Sequence, residues 1–172
     1  TGQVTGLGTN FGPVLRKKLA PQFLTHLAAV HNFDLAGFSF ESMDAPELGT
    51  SQNVEWQVNR ARRIWEEDRG EDHVLMNVAA NWLMANLPSL DKAGIVHGDF
   101  RSGNFLFDEA SGQITAWLDW ERAHIGDRHR DLAWLTERAM GHYSEDGKTY
   151  YICGLVPEDE FLDRYTEASG LS

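Results

Sequence analysis

The hydrophobic pattern of the chain changes near residue 94, and this change limits the folds available to it. Before this point, apolar residues recur every three or four positions in three segments, which predicts three helices. Pro21 is expected in the first turn of the first helix, and Asp72 is expected to cap the third. Short apolar runs follow residue 94, and then two further helices ending near Gly170. Strands and helices do not alternate, so the sequence predicts an α+β fold that is mainly helical.

Two of the short apolar runs predict a β-hairpin. They cover residues 104–107 and 114–118, and the segment between them is rich in turn-forming residues. With a four-residue loop at 110–113, Asn104 faces Asp119 across the hairpin. Directly opposed residues place their Cβ atoms about 4.5–5.5 Å apart. The pattern therefore predicts that an amide oxygen and a carboxylate lie close enough to share a cation.

Composition and charge exclude several kinds of partner. The chain has 15 Lys and Arg against 26 Asp and Glu, a formal charge of −11, which repels nucleic-acid phosphates and anionic lipids. We expect no nucleic-acid or membrane partner. No apolar run approaches the roughly 18 residues of a membrane helix, and the first residues lack the regions of a signal peptide. A single cysteine excludes an internal disulfide, and together these features predict a cytoplasmic protein. Oligomeric state is not indicated.

The polar residues around the predicted hairpin suit chemistry on nucleotide phosphates. Mg²⁺ prefers oxygen ligands and usually keeps several waters, so Asn104 and Asp119 are suitable metal ligands. Asp99 lies in the loop before the hairpin, where it can accept a proton from an attacking hydroxyl. Protein kinases use a loop Asp as base and a downstream Asn and Asp as metal ligands. The pattern thus predicts phosphoryl transfer, with Asp99 as catalytic base.

These residues also carry a family resemblance. The chain resembles the aminoglycoside phosphotransferase and choline kinase-like family in the motif segments His97-Gly98-Asp99, Asn104, Asp119, Gly126-Asp127 and Asp131-Leu132-Ala133. It is most similar to the branch that includes kinase-like domains associated with acyl-CoA dehydrogenases, through Arg101-Ser102-Gly103 and Asp119-Trp120-Glu121. The likeness extends along nearly all of the family's C-terminal lobe.

The resemblance implies a two-lobed kinase-like fold with ATP or GTP between the lobes, Mg²⁺ as cofactor and a small hydroxyl-bearing molecule as substrate. A complete member has a preceding β-rich lobe with a phosphate-covering loop and a lysine. We therefore expect residues 1–14 to be a linker after a missing N-terminal lobe. Residues 15–172 are expected to form a catalytic lobe truncated at both ends, which need not be active alone. Aminoglycosides, sugars, amino alcohols and hydroxyacyl compounds all stay open as acceptors.

Five further polar residues near the motif have predicted supporting roles. His97 is expected to hold the catalytic loop by hydrogen bonds rather than to act as an acid or base. Asp127 is expected to cap the following helix, and Asp131 to brace the loop from behind. Arg101 and Glu121 are candidate contacts to substrate or phosphate. The alternative for Arg101 is a solvated or ion-paired role. Glu121 either neighbours the metal site or pairs with Arg122 or Arg128.

Two other functions stay open. A pseudokinase or binding module would keep the fold without the chemistry, although the retained base and metal ligands argue against it. A metal-dependent hydrolase would draw its ligands from a wider set: His97, Asp99, Asp119, His124, Asp127 and His129. Zinc favours imidazole and thiolate ligands, whereas the best-placed pair here offers only oxygen. The kinase is therefore the favoured prediction.

Overall fold

The structure, a computed structural model, describes residues 9–38 and 43–171. The chain divides into two units. Of the described residues, unit 1 contains 9–38, 94–124 and 128–171, and unit 2 contains 43–93 and 125–127. Residues 1–8 of the predicted linker lie outside the described part.

The described residues form three helices, then short strands, and then two further helices with a small sheet between them. The helices are α1 (Gly12–His31), α2 (Gln52–Asp68), α3 (Val74–Ala85), α4 (His129–Leu135) and α5 (Glu158–Ser169). The strands are β1 (Gly94–Val96), β2 (Phe105–Asp108), β3 (Gln113–Trp117), β4 (His124–Gly126), β5 (His142–Tyr143), β6 (Tyr150–Ile152) and β7 (Val156–Pro157). The predicted fold class, α+β and mainly helical, is confirmed.

Helix α1 begins at Gly12, so the predicted start at Pro21 is wrong. The side chain of Asn10 accepts the N–H of Gly12 at 3.0 Å, and Pro13 occupies the first turn. A proline there costs little because its missing N–H would have no partner in the helix. Pro21 lies inside the helix instead. The buried face on either side of it, which includes Leu19 and Phe23, compensates for the lost backbone bond.

The hairpin of β2 and β3 forms as predicted, but in a different register. Phe105 faces Trp117, so the strands continue to bring Leu118 opposite Asn104. The N–H of Leu118 donates to the Asn104 carbonyl at 2.8 Å. The predicted pairing of Asn104 with Asp119 is therefore wrong by one residue.

The hairpin loop explains this difference. Asp108 pairs with Gln113, which makes the loop 109–112 rather than 110–113. The Asp108 carboxylate accepts the N–H of Ser111 at 2.7 Å, and its carbonyl accepts the N–H of Gly112 at 2.7 Å. Gly112 has φ +72°, a left-handed conformation that favours glycine. An irregularity after Leu106 then shifts the register back by one residue. A bulge of this kind is not visible as a sequence pattern.

A three-stranded antiparallel sheet, in the order β5-β6-β7, was not predicted. Each of its strands has only two or three residues. Such runs are too short to establish a period of two in the sequence. This sheet leads directly into α5, whose predicted start at Pro157 and end at Gly170 are confirmed.

The core of unit 1 gathers apolar side chains from α1, the hairpin, the small sheet and α5. Phe23, Phe105, Ile152 and Phe161 are each at most 1% exposed. Fully burying a side chain of this size stabilises the folded state by roughly 1.5–3 kcal/mol. The segment that carries the predicted site is thus anchored in a well-packed hydrophobic core.

Unit 2 contains α2 and α3. Val58 on the predicted α2 stripe is buried. The N-cap residue of α3 is His73, so the predicted cap at Asp72 is wrong. The Asp72 carboxylate pairs with Arg69 instead. Neither α2 nor any other described helix combines the length and apolar character needed to cross a membrane.

Candidate active site

The predicted catalytic loop connects β1 to the short 3-10 turn Ser102–Asn104. The loop is buried: His97 is fully buried and Asp99 is 8% exposed. Gly98 between them has φ +83°, and a Cβ there would lie 2.8 Å from both the Cβ and the carbonyl oxygen of Arg122. Glycine is therefore required at this position by both backbone conformation and space.

Three side chains donate hydrogen bonds to the Asp99 carboxylate. Asn104 Nδ2 reaches Oδ2 at 2.7 Å, and Trp134 Nε1 reaches Oδ1 at 2.7 Å. Arg101 Nε reaches both oxygens, at 3.0 and 3.1 Å. Asn104 also donates to the Asp99 carbonyl at 2.8 Å. The carboxylate is therefore held in one orientation at the end of a buried loop.

Asp131 holds the backbone of the loop. Its two carboxylate oxygens accept the N–H groups of His97 and Gly98, both at 2.8 Å. Asp131 is fully buried, as expected for a group that pairs with backbone donors instead of water. These two bonds attach the loop backbone to α4.

A hydrogen-bond chain extends from Asp131 into the helices of unit 1. His31 Nε2 lies 3.2 Å from Asp131 Oδ2, and His31 Nδ1 lies 2.8 Å from the Tyr165 hydroxyl. Because a carboxylate only accepts, Nε2 donates to Asp131, and Nδ1 is left as the partner of the tyrosine hydroxyl. Burial raises the pKa of Tyr165, which keeps its hydroxyl protonated as the donor. The loop is thereby linked to both α1 and α5.

His97 makes structural hydrogen bonds. Its Nε2 lies 3.0 Å from the Leu118 carbonyl, and its Nδ1 accepts the N–H of Asp99 at 3.3 Å. Burial lowers the pKa of His97, and the nearby charge of Asp131 only partly offsets this effect. A neutral ring with a protonated Nε2 satisfies both bonds.

Asn104 and Asp119 lie at neighbouring positions of the hairpin rather than directly opposite. Asn104 is buried and points its Nδ2 at Asp99, so its Oδ1 is the amide atom not used in those bonds. Asp119 is exposed and has φ 66°, in the left-handed region. An amide oxygen and a carboxylate are donors that fit a hard cation such as Mg²⁺.

The remaining predicted site residues are Arg101, Glu121 and Asp127. Arg101 is ion-paired with Asp99, which corresponds to one of its two predicted alternatives. Glu121 lies on the exposed 3-10 turn Trp120–Arg122. Asp127 belongs to unit 2, where its N–H donates to Asn53 Oδ1 at 3.2 Å. Arg128 occupies the N-cap position of α4, one residue after the predicted cap Asp127.

Sequence reasoning did not identify three residues around the site: His31, Tyr165 and Trp134. Trp134 directly follows the motif segment Asp131-Leu132-Ala133, which is a local signal. His31 lies 100 positions from Asp131 and 134 positions from Tyr165 in the sequence. Only folding reveals such pairs.

The ligand set considered for a metal-dependent hydrolase is not assembled. Among residues 9–38 and 43–171, no group of three or more His, Cys, Asp or Glu side chains is arranged to hold a metal ion. The hydrogen-bonded cluster around Asp99 instead combines one carboxylate with amide, guanidinium and indole donors.

Comparison with known proteins defines the class. The sequence model of the phosphotransferase enzyme family matches residues 5–169, so the chain belongs to this family. Solved structures share its fold. A Ralstonia eutropha protein assigned as an aminoglycoside phosphotransferase aligns over 99% of this chain and 53% of its own, with 22% identity and a TM-score of 0.75. An aminoglycoside-3'-phosphotransferase of type VIII aligns over 99% and 61%, with 21% identity and a TM-score of 0.65.

The curated relatives identify a branch of this family. Acyl-CoA dehydrogenase family member 11 of Gallus gallus is 33% identical over 170 residues, which is 94% of this chain and 21% of the relative. The Homo sapiens protein of the same name is 26% identical over 171 residues, 93% of this chain and 21% of the relative. The chain thus spans about a fifth of these relatives. The predicted resemblance, including its acyl-CoA dehydrogenase branch, is confirmed.

Proposed function

We propose that this chain is the catalytic lobe of a small-molecule kinase, which transfers a phosphoryl group from ATP or GTP to a hydroxyl. The observation that carries the proposal is the held carboxylate of Asp99. It lies at 8% exposure in a loop whose backbone is bonded to Asp131, and its two oxygens are oriented by side-chain donors. A fixed carboxylate of this kind suits a general base.

In this function Asp99 orients the acceptor hydroxyl and takes its proton as the hydroxyl attacks. Positioning supplies most of the catalysis in phosphoryl transfer, since the transition state needs little covalent help from the protein. The bonds from Asn104 and Trp134 to Asp99 would keep its carboxylate oriented toward the attacking oxygen. The loop bonds to Asp131 would keep the backbone from moving away.

Asn104 Oδ1 and the Asp119 carboxylate are the proposed ligands of Mg²⁺. The metal, when bound, neutralises charge on the nucleotide phosphates. Asn104 then has two tasks, because its Nδ2 orients the base while its Oδ1 is available to the cation. The net charge of −11 argues for a small acceptor and against a polyanionic one. A cytoplasmic location remains our expectation.

The test uses the complete protein that the gene encodes, assayed for phosphorylation of a panel of hydroxylated metabolites and aminoglycosides with Mg²⁺ and ATP or GTP. Asp99→Asn keeps the shape of the side chain but removes the base, and we expect a loss of about 10²–10⁴-fold in kcat. Asp163→Asn is the matched control, because Asp163 is exposed on α5 and is expected to leave turnover unchanged. Turnover that survives Asp99→Asn would contradict the proposal.

A second arm of the experiment addresses the metal. Asp119→Asn is the appropriate variant, because asparagine tolerates the left-handed backbone at this position and removes only the charge. We expect it to raise the Mg²⁺ concentration needed for half-maximal turnover. Nucleotide binding without transfer in the wild-type protein would favour the pseudokinase, and hydrolysis without nucleotide would favour the hydrolase.

A further inference from the structure

We infer that Trp134 is a positioning residue for the catalytic base, and that its indole N–H stays bonded to Asp99 Oδ1 during turnover. This inference rests on the proposed function. It starts from the number of hydrogen bonds that the Asp99 carboxylate already accepts.

The carboxylate of Asp99 is fully occupied by protein donors. Each carboxylate oxygen offers about two lone-pair sites. Oδ1 accepts from Trp134 at 2.7 Å and from Arg101 at 3.0 Å. Oδ2 accepts from Asn104 at 2.7 Å and from Arg101 at 3.1 Å. A substrate hydroxyl that donates to Asp99 must therefore replace one of these donors.

Arg101 is the donor best suited to leave. One N–H, on Nε, is shared between the two oxygens, and both of its distances are longer than those of the other donors. Its side chain is 21% exposed, so water can compensate for the lost contact. Departure of Arg101 opens one position on each oxygen of Asp99. Trp134 and Asn104 then remain as one donor on each oxygen.

Trp134 is the donor best suited to stay. Its ring packs against the core of unit 1, and Arg130 lies over the ring at 5.5 Å from its centroid. An indole has a single donor and no acceptor, so the ring has no alternative bond to make with Asp99. Its reorientation would cost core packing as well as the hydrogen bond.

The location of Trp134 on α4 strengthens this assignment. Asp131 lies three residues earlier on the same helix, and residues at this spacing share one face. Asp131 holds the loop backbone at His97 and Gly98, while Trp134 holds the carboxylate two residues further on. One face of a short helix therefore sets both the position of the loop and the orientation of its base.

The experiment compares two substitutions in the complete encoded protein, using the acceptor and nucleotide found for the wild type. Trp134→Phe keeps most of the ring but removes the N–H. Trp134→His loses ring bulk but keeps a donor, since Nε2 of imidazole occupies the ring position of indole Nε1. We expect Trp134→Phe to lower kcat by about 10- to 100-fold with both KM values unchanged, and Trp134→His to recover part of that loss although it is the less stable variant.

A purely structural role would give the opposite order, with the better-packed Trp134→Phe the more active, and would overturn the inference. Trp134→Phe is also combined with Asp99→Asn, where we expect no additional loss of kcat because the base is already gone. An equal further loss in that background would also overturn it. If Asp99→Asn itself leaves kcat unchanged, the proposed function fails; if only Trp134→Phe does, the inference alone fails.

Discussion

Cys153 shows how strongly its location controls the chemistry of a single residue. It is completely buried and has φ 51°, an uncommon backbone conformation for a residue with a side chain. Burial raises the pKa of its thiol to about 12. The thiolate is the reactive form, so this cysteine is chemically protected while the chain is folded.

Alkylation tests this protection. With a pKa of about 12, only about one Cys153 in 10⁴ is a thiolate at pH 8. We expect iodoacetamide to modify the folded chain at pH 8 far more slowly than the chain unfolded in urea, as followed by intact mass. Rates that are equal in the two states would show that the thiol is accessible and its pKa ordinary.

At the scale of elements, the bond between His31 and Tyr165 ties α1 to α5 through the interior of unit 1. Both residues are 2% exposed, and the remaining nitrogen of His31 bonds Asp131. Loss of the tyrosine hydroxyl would leave His31 Nδ1 buried without a donor. Unpaired buried groups cost more than the average hydrogen bond contributes.

Tyr165→Phe is therefore expected to lower the free energy of unfolding by about 1–3 kcal/mol. Urea denaturation followed by circular dichroism measures this change. Tyr143→Phe is the matched control, since Tyr143 is 56% exposed and its hydroxyl can bond water. We expect the control to stay within about 0.5 kcal/mol of the wild type. Equal effects of the two substitutions would mean that the buried bond does not stabilise the unit.

The hairpin shows where element-level prediction succeeds and fails. Two apolar runs around a turn-rich segment were enough to identify β2 and β3. Their register depended on Asp108, whose side-chain bonds to Ser111 placed the loop one residue earlier, and on an irregularity after Leu106. These are local energetic choices among turns that have almost the same composition.

At the scale of the whole molecule, packing is unevenly distributed along the chain. Helix α1 has seven buried residues, whereas none of the residues of α3, as described here, is buried. Several large apolar side chains of α3 are exposed, including Leu75 at 76% and Trp82 at 63%. Since helices in proteins are stabilised mainly by packing, α3 is expected to be the weaker of the two.

Hydrogen exchange followed by mass spectrometry of the 172-residue chain tests this expectation. We expect the amides of α3 to exchange at least about tenfold faster than those of α1, because α3 can open without exposing a buried core. Peptides from α5, which buries Phe161 and Tyr165, provide a second well-packed reference. Protection of α3 equal to that of α1 would contradict the expectation.

The sequence by itself determined the fold class, the hairpin and the family, because these depend on residue types at fixed local spacings. Gly98, for example, belongs to a motif that can be recognised from the sequence. The short strands β5 to β7 and the start of α1 at Gly12 were not predicted, since local preferences there are too weak to define an element.

Tertiary structure alone decided which groups surround Asp99. Arg101 and Asn104 are near it in sequence, but Trp134 reaches it only because α4 folds back against the loop, and His31 meets Asp131 across 100 positions. The bonds that orient the proposed base are thus long-range consequences of core packing. The sequence shows which residues can take part in the chemistry. Their hydrogen-bond partners depend on distances that are set only when the chain folds.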